Sequence, residues 1–61
     1  MNAAQIPERD LELTTTAIRL IRRAPDDARA ADIERQMAEM DPSADADTVR
    51  RCLGHAGRLL S

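Results

Sequence analysis

The sequence predicts an all-α fold of three short helices. Three segments repeat apolar residues at intervals of three and four, the spacing that gathers them on one face of a helix. Two breaks that contain proline and aspartate separate these segments, and 61 residues leave room for a single domain. We expect helices at about 8–24, 28–40 and 46–59, which form one trihelical domain over 8–61 behind a flexible arm at 1–7.

The first helix is expected to begin next to Pro7. Proline is tolerated in the first turn of a helix, and the acids Glu8 and Asp10 complement the positive end of the helix dipole. Threonines 14–16 lose rotamer freedom in a helix, so this helix needs tertiary packing for its stability. Its apolar stripe consists of Leu13, Ala17, Leu20, Ile21 and Ala24.

The second helix follows Pro25, which disfavours helical geometry in the residue before it. Asp26 and Asp27 favour either a turn or an N-cap, so the helix begins at Ala28 or at Ala30 and runs to Met40. Its buried stripe consists of Ile33, Met37 and Met40.

The third helix follows the break at 41–43, with Asp45 or Ser43 as its N-cap. A glycine is a common C-cap, so this helix either ends at Leu53, leaving a tail, or continues to Leu59. In the longer form its apolar side carries Val49, Cys52, Leu53, Ala56, Leu59 and Leu60. The basic residues share the solvent side with one glycine: Arg50 at the flank, Arg51, Gly54, His55 and Arg58.

Charge is distributed unevenly along the chain. Residues 48–61 contain three arginines and no acid, whereas residues 1–47 carry a net charge of −5. A basic helix on an acidic body is typical of a small module that presents one helix to a polyanion.

The second and third helices together resemble the helix-turn-helix core of bacterial transcriptional regulators, in the trihelical form that also underlies winged-helix repressors. Residues 31–34 in the supporting helix and 45–53 at the start of the third helix carry this resemblance, which covers roughly Leu13 to Leu60. A wing would follow Leu60, and we expect none.

The resemblance implies a small, sequence-specific double-stranded DNA-binding regulator that acts as a dimer with its third helix in the major groove. Thr48 lies in the first turn, where a hydroxyl and free backbone N–H groups can meet a phosphate. Arg50 and Arg51 can bridge O6 and N7 of guanine. His55 and Arg58 complete the expected DNA-binding set.

A second interpretation is an acidic helical protein-interaction module, antitoxin-, adaptor- or inhibitor-like, that does not bind DNA. The overall acidity favours it. Eleven of the twenty-six hydrophobic residues are alanine and none is aromatic, so a lone monomer has little core. We therefore expect a homodimer or a protein partner, with an interface formed by Met37, Met40, Leu59 and Leu60.

Enzymatic function is not expected. Cys52 cannot form an intrachain disulfide and is interpreted as a small core residue, and His55 is interpreted as a surface residue without catalytic partners. We expect no metal, no cofactor, no small-molecule substrate and no membrane contact, and a cytoplasmic location. The absence of aromatic residues disfavours single-stranded nucleic acid, because bases stack on aromatic rings.

Overall fold

The three predicted helices are confirmed. A computed structural model describes residues 6–61 and contains α1 (Glu8–Arg23), α2 (Ala30–Met40) and α3 (Ala46–Leu60). No strand occurs within residues 6–61. Most of the arm expected at 1–7 lies outside the described residues. The fold over the described part is therefore an all-α bundle of three helices.

The connection between α1 and α2 explains why α2 starts at Ala30 rather than at Ala28. The backbone N–H of Ala28 donates to the carbonyl of Pro25 at 2.9 Å, which closes a turn around Asp26 and Asp27. The two aspartates thus form the turn, and neither caps the helix. The N-cap residue is Arg29, whose backbone N–H donates to Asp32 Oδ2 at 3.2 Å.

Asp45 is the N-cap of α3, which decides between the two expected candidates. Its Oδ1 accepts a hydrogen bond from the backbone N–H of Thr48 at 2.7 Å. The helix then continues through Gly54 and Gly57 to Leu60, because neither glycine has the positive φ of a C-cap. The alternative in which α3 ends at Leu53 is wrong.

Threonines 14–16 lie inside α1 and are accommodated in two ways. The hydroxyls of Thr15 and Thr16 donate to the carbonyls of Leu11 and Glu12 one turn earlier, at 2.8 and 3.2 Å. Thr14 instead lies inside the bundle, with 2% of its surface exposed. Burial of this face against the other helices supplies the tertiary packing that the sequence of α1 requires.

The core lies where the three helices meet, and α1 contacts α3 more extensively than it contacts α2. Cys52 is completely buried, as expected. Met37 is also completely buried, which corrects its assignment to an interface: its own chain surrounds the side chain and leaves no surface for a partner. The core consists of Leu13, Ala17, Ile33, Met37, Val49, Cys52 and Ala56.

Within residues 6–61, four larger apolar residues remain on the surface. Met40 is 63% exposed and Leu11 is 48% exposed, while Leu59 and Leu60 in the last turn of α3 are 49% and 39% exposed. Three of the four residues expected at an interface are therefore accessible to a partner.

The two glycines of α3 weaken the helix without serving the packing of the chain itself. A Cβ built on Gly54 or Gly57 meets no atom within 4 Å. We expect Gly54→Ala and Gly57→Ala each to raise the free energy of unfolding by about 1 kcal/mol, measured by urea denaturation, because alanine loses less backbone entropy in a helix. Ala38→Gly on the exposed side of α2 is the matched control and should lower it by a similar amount. Destabilisation by either alanine would contradict this account of α3.

Candidate nucleic-acid interface

The exposed side of α3 is the surface on which most of the predicted DNA-binding residues lie. Val49, Cys52 and Ala56 turn the opposite side of the helix into the core. We call the exposed side the α3 outer face; it consists of Asp47, Arg50, Arg51, Gly54, Gly57 and Arg58. Arg50, Arg51 and Arg58 are therefore presented on one surface, as the sequence predicts.

Arg50 has only a loose partner. Its Nε lies 3.7 Å from Glu34 Oε1, and 66% of the Arg50 side chain is exposed. An exposed pair of this kind contributes little to stability, so Arg50 can turn toward a ligand at small cost. Arg58 is exposed in the last turn of the same helix.

Thr48 differs from its expected role. Its backbone N–H donates to Asp45 Oδ1, and hydrogen bonding with Thr48 holds the pKa of the Asp45 carboxyl below its usual value. The N–H that was expected to meet a phosphate is therefore occupied by a carboxylate of the same chain, which removes the backbone part of the role expected for Thr48. A capped helix start carries a negative charge where the resemblance implies an anion site.

Arg51 forms the most specific polar contact in the described part of the chain. Its Nε donates to Asp10 Oδ2 at 2.9 Å and its Nη2 donates to Oδ1 at 3.1 Å. The Asp10 side chain is 1% exposed, whereas the Arg51 side chain is 41% exposed. A bidentate ion pair thus joins the start of α1 to the middle of α3, with the Asp10 carboxylate buried and the Arg51 guanidinium at the surface.

The contact keeps both groups charged. The hydrogen bond from Arg51 lowers the pKa of Asp10 from its usual value, against the effect of burial, and the same bond raises the pKa of Arg51. Asp10 therefore remains a carboxylate, and its negative charge compensates the positive charge of the Arg51 guanidinium.

Other groups surround Asp10. The Nε of Arg9 lies 3.9 Å from Oδ1, and the Cys52 Sγ donates to the backbone carbonyl of Asp10 at 3.8 Å. Burial raises the pKa of the Cys52 thiol, which keeps it protonated and able to donate. The start of α1 is thus held to α3 by both the side chain and the backbone of Asp10.

His55 does not lie on the α3 outer face, which corrects two expectations. Its side chain is 20% exposed and its Nε2 lies 3.6 Å from Asp10 Oδ2. That Nε2 is buried and forms no hydrogen bond. His55 is one turn beyond Arg51, on the side of α3 that meets α1. It therefore lies between the two helices and not on the α3 outer face.

Asp10 is the residue that the sequence reasoning missed, because an acid at a helix start is explained by the dipole alone. A signal was nevertheless present. Asp10 precedes Leu13 by three positions and Ala17 by seven, so it belongs to the apolar stripe of α1. An acid on such a stripe predicts burial, and burial predicts a basic partner.

Comparisons with protein-family models, with curated proteins and with solved structures gave no match. Within residues 6–61, no helix has the length and apolar character needed to cross a membrane. The same residues contain no cluster of three histidine, cysteine or acidic side chains arranged to hold a metal ion.

Removal of the Arg51 charge should weaken the fold most at neutral pH and should remove the acid sensitivity that the fold owes to Asp10. We expect Arg51→Met to be markedly less stable than the wild type at pH 7, because Asp10 then lies buried without its main partner. The lowered pKa of Asp10 gives the wild type stability that is present above the usual aspartate value of 3.8 and is lost as the pH falls toward the lower pKa of the folded state. In Arg51→Met this contribution disappears.

The measurement is the urea midpoint of unfolding at several pH values from 7 to 2. Arg50→Met is the matched control, since it removes the neighbouring arginine from an exposed pair and should change stability little. Equal effects of the two variants at every pH would contradict the assigned role of Arg51.

Proposed function

We propose that the protein binds double-stranded DNA and places the α3 outer face in the major groove. The observation that carries the proposal is the presence of three exposed arginines on one face of a helix whose other face is fixed in the core. An α-helix fits the major groove, and arginine provides both charge and hydrogen-bond donors to the groove and the backbone. Asp47 lies on the same face and reduces its formal charge to +2.

Arg50 and Arg58 are the residues suited to phosphate contact. Both are exposed at the surface, and neither is held by a buried acid. Phosphate attraction depends on free positive charge that can replace condensed counterions, and a loosely held guanidinium retains that charge. They lie eight residues apart on α3, about 12 Å along the axis at 1.5 Å per residue. The two cations can therefore reach separate phosphates.

Gly54 and Gly57 support a close approach of DNA to α3. Neither residue has a side chain, and the space where a Cβ would lie is open. A helix with two side chains missing from its outer face can lie deeper in a groove, or closer to a sugar-phosphate strand, than one with larger residues there. The destabilising effect of the glycines on the free helix would then have a functional reason.

The acidic remainder of the chain supports one orientation of binding. The net charge of −5 over residues 1–47 repels a polyanion, whereas residues 48–61 attract it. DNA is therefore expected to approach from the α3 side.

The salt dependence of binding tests this proposal. We expect the wild type to bind random duplex DNA with an affinity that falls as salt rises, and we expect Arg50→Ala and Arg58→Ala each to reduce the slope of log K against log salt by about 1. Fluorescence anisotropy with a labelled duplex provides the measurement. Arg19→Ala, which removes an exposed arginine from α1, is the matched control and should leave the slope nearly unchanged.

A second candidate function is protein interaction, and the exposed apolar residues favour it. Leu59 and Leu60 are side by side in the last turn of α3, and Met40 is more exposed than either. Two results together would replace the DNA proposal with this one. The protein would show no salt-dependent binding to duplex DNA, and sedimentation equilibrium would show a dimer that Leu59→Asn and Leu60→Asn abolish. A dimer that also binds DNA would agree with the DNA proposal, in which paired α3 helices meet half-sites about 34 Å apart.

A further inference from the structure

We propose that Asp10 is a positioning residue that orients Arg51 to read the major-groove edge of one guanine. The inference rests on the proposed function and adds to it: it separates a base-reading arginine from the phosphate-contacting arginines of the same helix.

The bonding pattern of Arg51 leaves suitable donors free. A guanidinium has five N–H groups, of which one is on Nε and two are on each Nη. Asp10 accepts one from Nε and one from Nη2. Because the group is planar, both N–H groups of Nη1 and the outer N–H of Nη2 point away from Asp10. Those two nitrogens form a second fork, on the edge of the guanidinium next to the one that Asp10 occupies.

Burial of Asp10 fixes the direction of this fork. The carboxylate is 1% exposed at the contact of α1 with α3, so its own position is set by the fold. Two short hydrogen bonds then set the plane of the guanidinium, whereas the single 3.7 Å contact of Arg50 sets none. An arginine ordered before binding loses less conformational freedom on binding, and a fixed plane discriminates between acceptor patterns.

Charge compensation indicates a base rather than a phosphate as the ligand of the fork. Asp10 cancels most of the field of Arg51 at a distance, which weakens its attraction to a phosphate. The directed N–H groups remain, and O6 and N7 of guanine are two neighbouring neutral acceptors that match such a fork. Arg50 and Arg58 are not paired with a buried acid. Each therefore keeps an uncompensated positive charge, and the direction of its guanidinium is not fixed.

The experiment begins with selection of duplexes from a randomised pool by the wild type. Each guanine of the selected duplex is then replaced in turn by 7-deazaguanine, which lacks the N7 acceptor and leaves the duplex otherwise intact. We expect one replacement to weaken binding by the wild type by about tenfold, within the range of one bidentate contact. For Asp10→Asn and Arg51→Lys, the same replacement should change affinity less than twofold.

The slope of log K against log salt separates the effect of the Arg51 orientation from the effect of its charge. Arg51→Lys keeps the positive charge beside Asp10 but lacks the fork, and the double variant Asp10→Asn/Arg51→Met removes both charges of the pair together with the fork. Both variants should keep the wild-type slope of log K against log salt to within about half a unit, while Arg50→Ala lowers it by about 1. A merely structural role for Asp10 would weaken binding to all duplexes equally and would leave the effect of 7-deazaguanine unchanged. Circular dichroism of each variant checks folding, and Arg51→Lys carries the test if Asp10→Asn does not fold.

Three results would overturn the inference while the proposed function stands: selection that enriches no sequence, retention of the 7-deazaguanine effect in Arg51→Lys, or a slope of log K against log salt that falls by about 1 in Asp10→Asn/Arg51→Met. Failure of the wild type to bind random duplex DNA at low salt would instead remove the proposed function itself.

Discussion

Asp10 introduces a charge at the contact of α1 with α3, and a charge 1% exposed is tolerated only when it is paired. Arg51 supplies the pairing with two hydrogen bonds, which can form only when the start of α1 lies beside the middle of α3. A part-buried pair of this kind adds little net stability compared with apolar residues of similar size. Its effect is on specificity, because any arrangement that separates the partners leaves an uncompensated carboxylate inside.

The rest of the core has little capacity to define the packing by shape. Three of its seven residues are alanine or cysteine, and the chain contains no phenylalanine, tyrosine or tryptophan. Small side chains let helices approach closely, but they fill several arrangements almost equally well. The ion pair and the Cys52 contact with the Asp10 backbone can form in only one arrangement of the helices. These polar contacts therefore select that arrangement, which the apolar core alone does not.

Local sequence signals predicted the helices well, because proline, capping and apolar periodicity act within a few residues. Pro25 and Asp45 each define a boundary by such a local effect. The error at His55 and the missed partner of Arg51 have a longer-range cause. Both depend on contacts with α1, which is about forty residues away in sequence, and a helical wheel of α3 alone does not show these contacts. Thr48 was misread for a local reason, since the capping acid beside it already uses its N–H.

The state of the Arg51 side chain in solution is the most direct test of the central contact. Nitrogen-15 NMR of the uniformly labelled protein reports the exchange of each arginine Nε–H with water, without any substitution. We expect the Arg51 Nε–H to exchange much more slowly than that of Arg50, because the first is bonded to a buried carboxylate at 2.9 Å and the second lies 3.7 Å from a partly exposed glutamate. Equal, fast exchange at both residues would show that Asp10 does not hold Arg51.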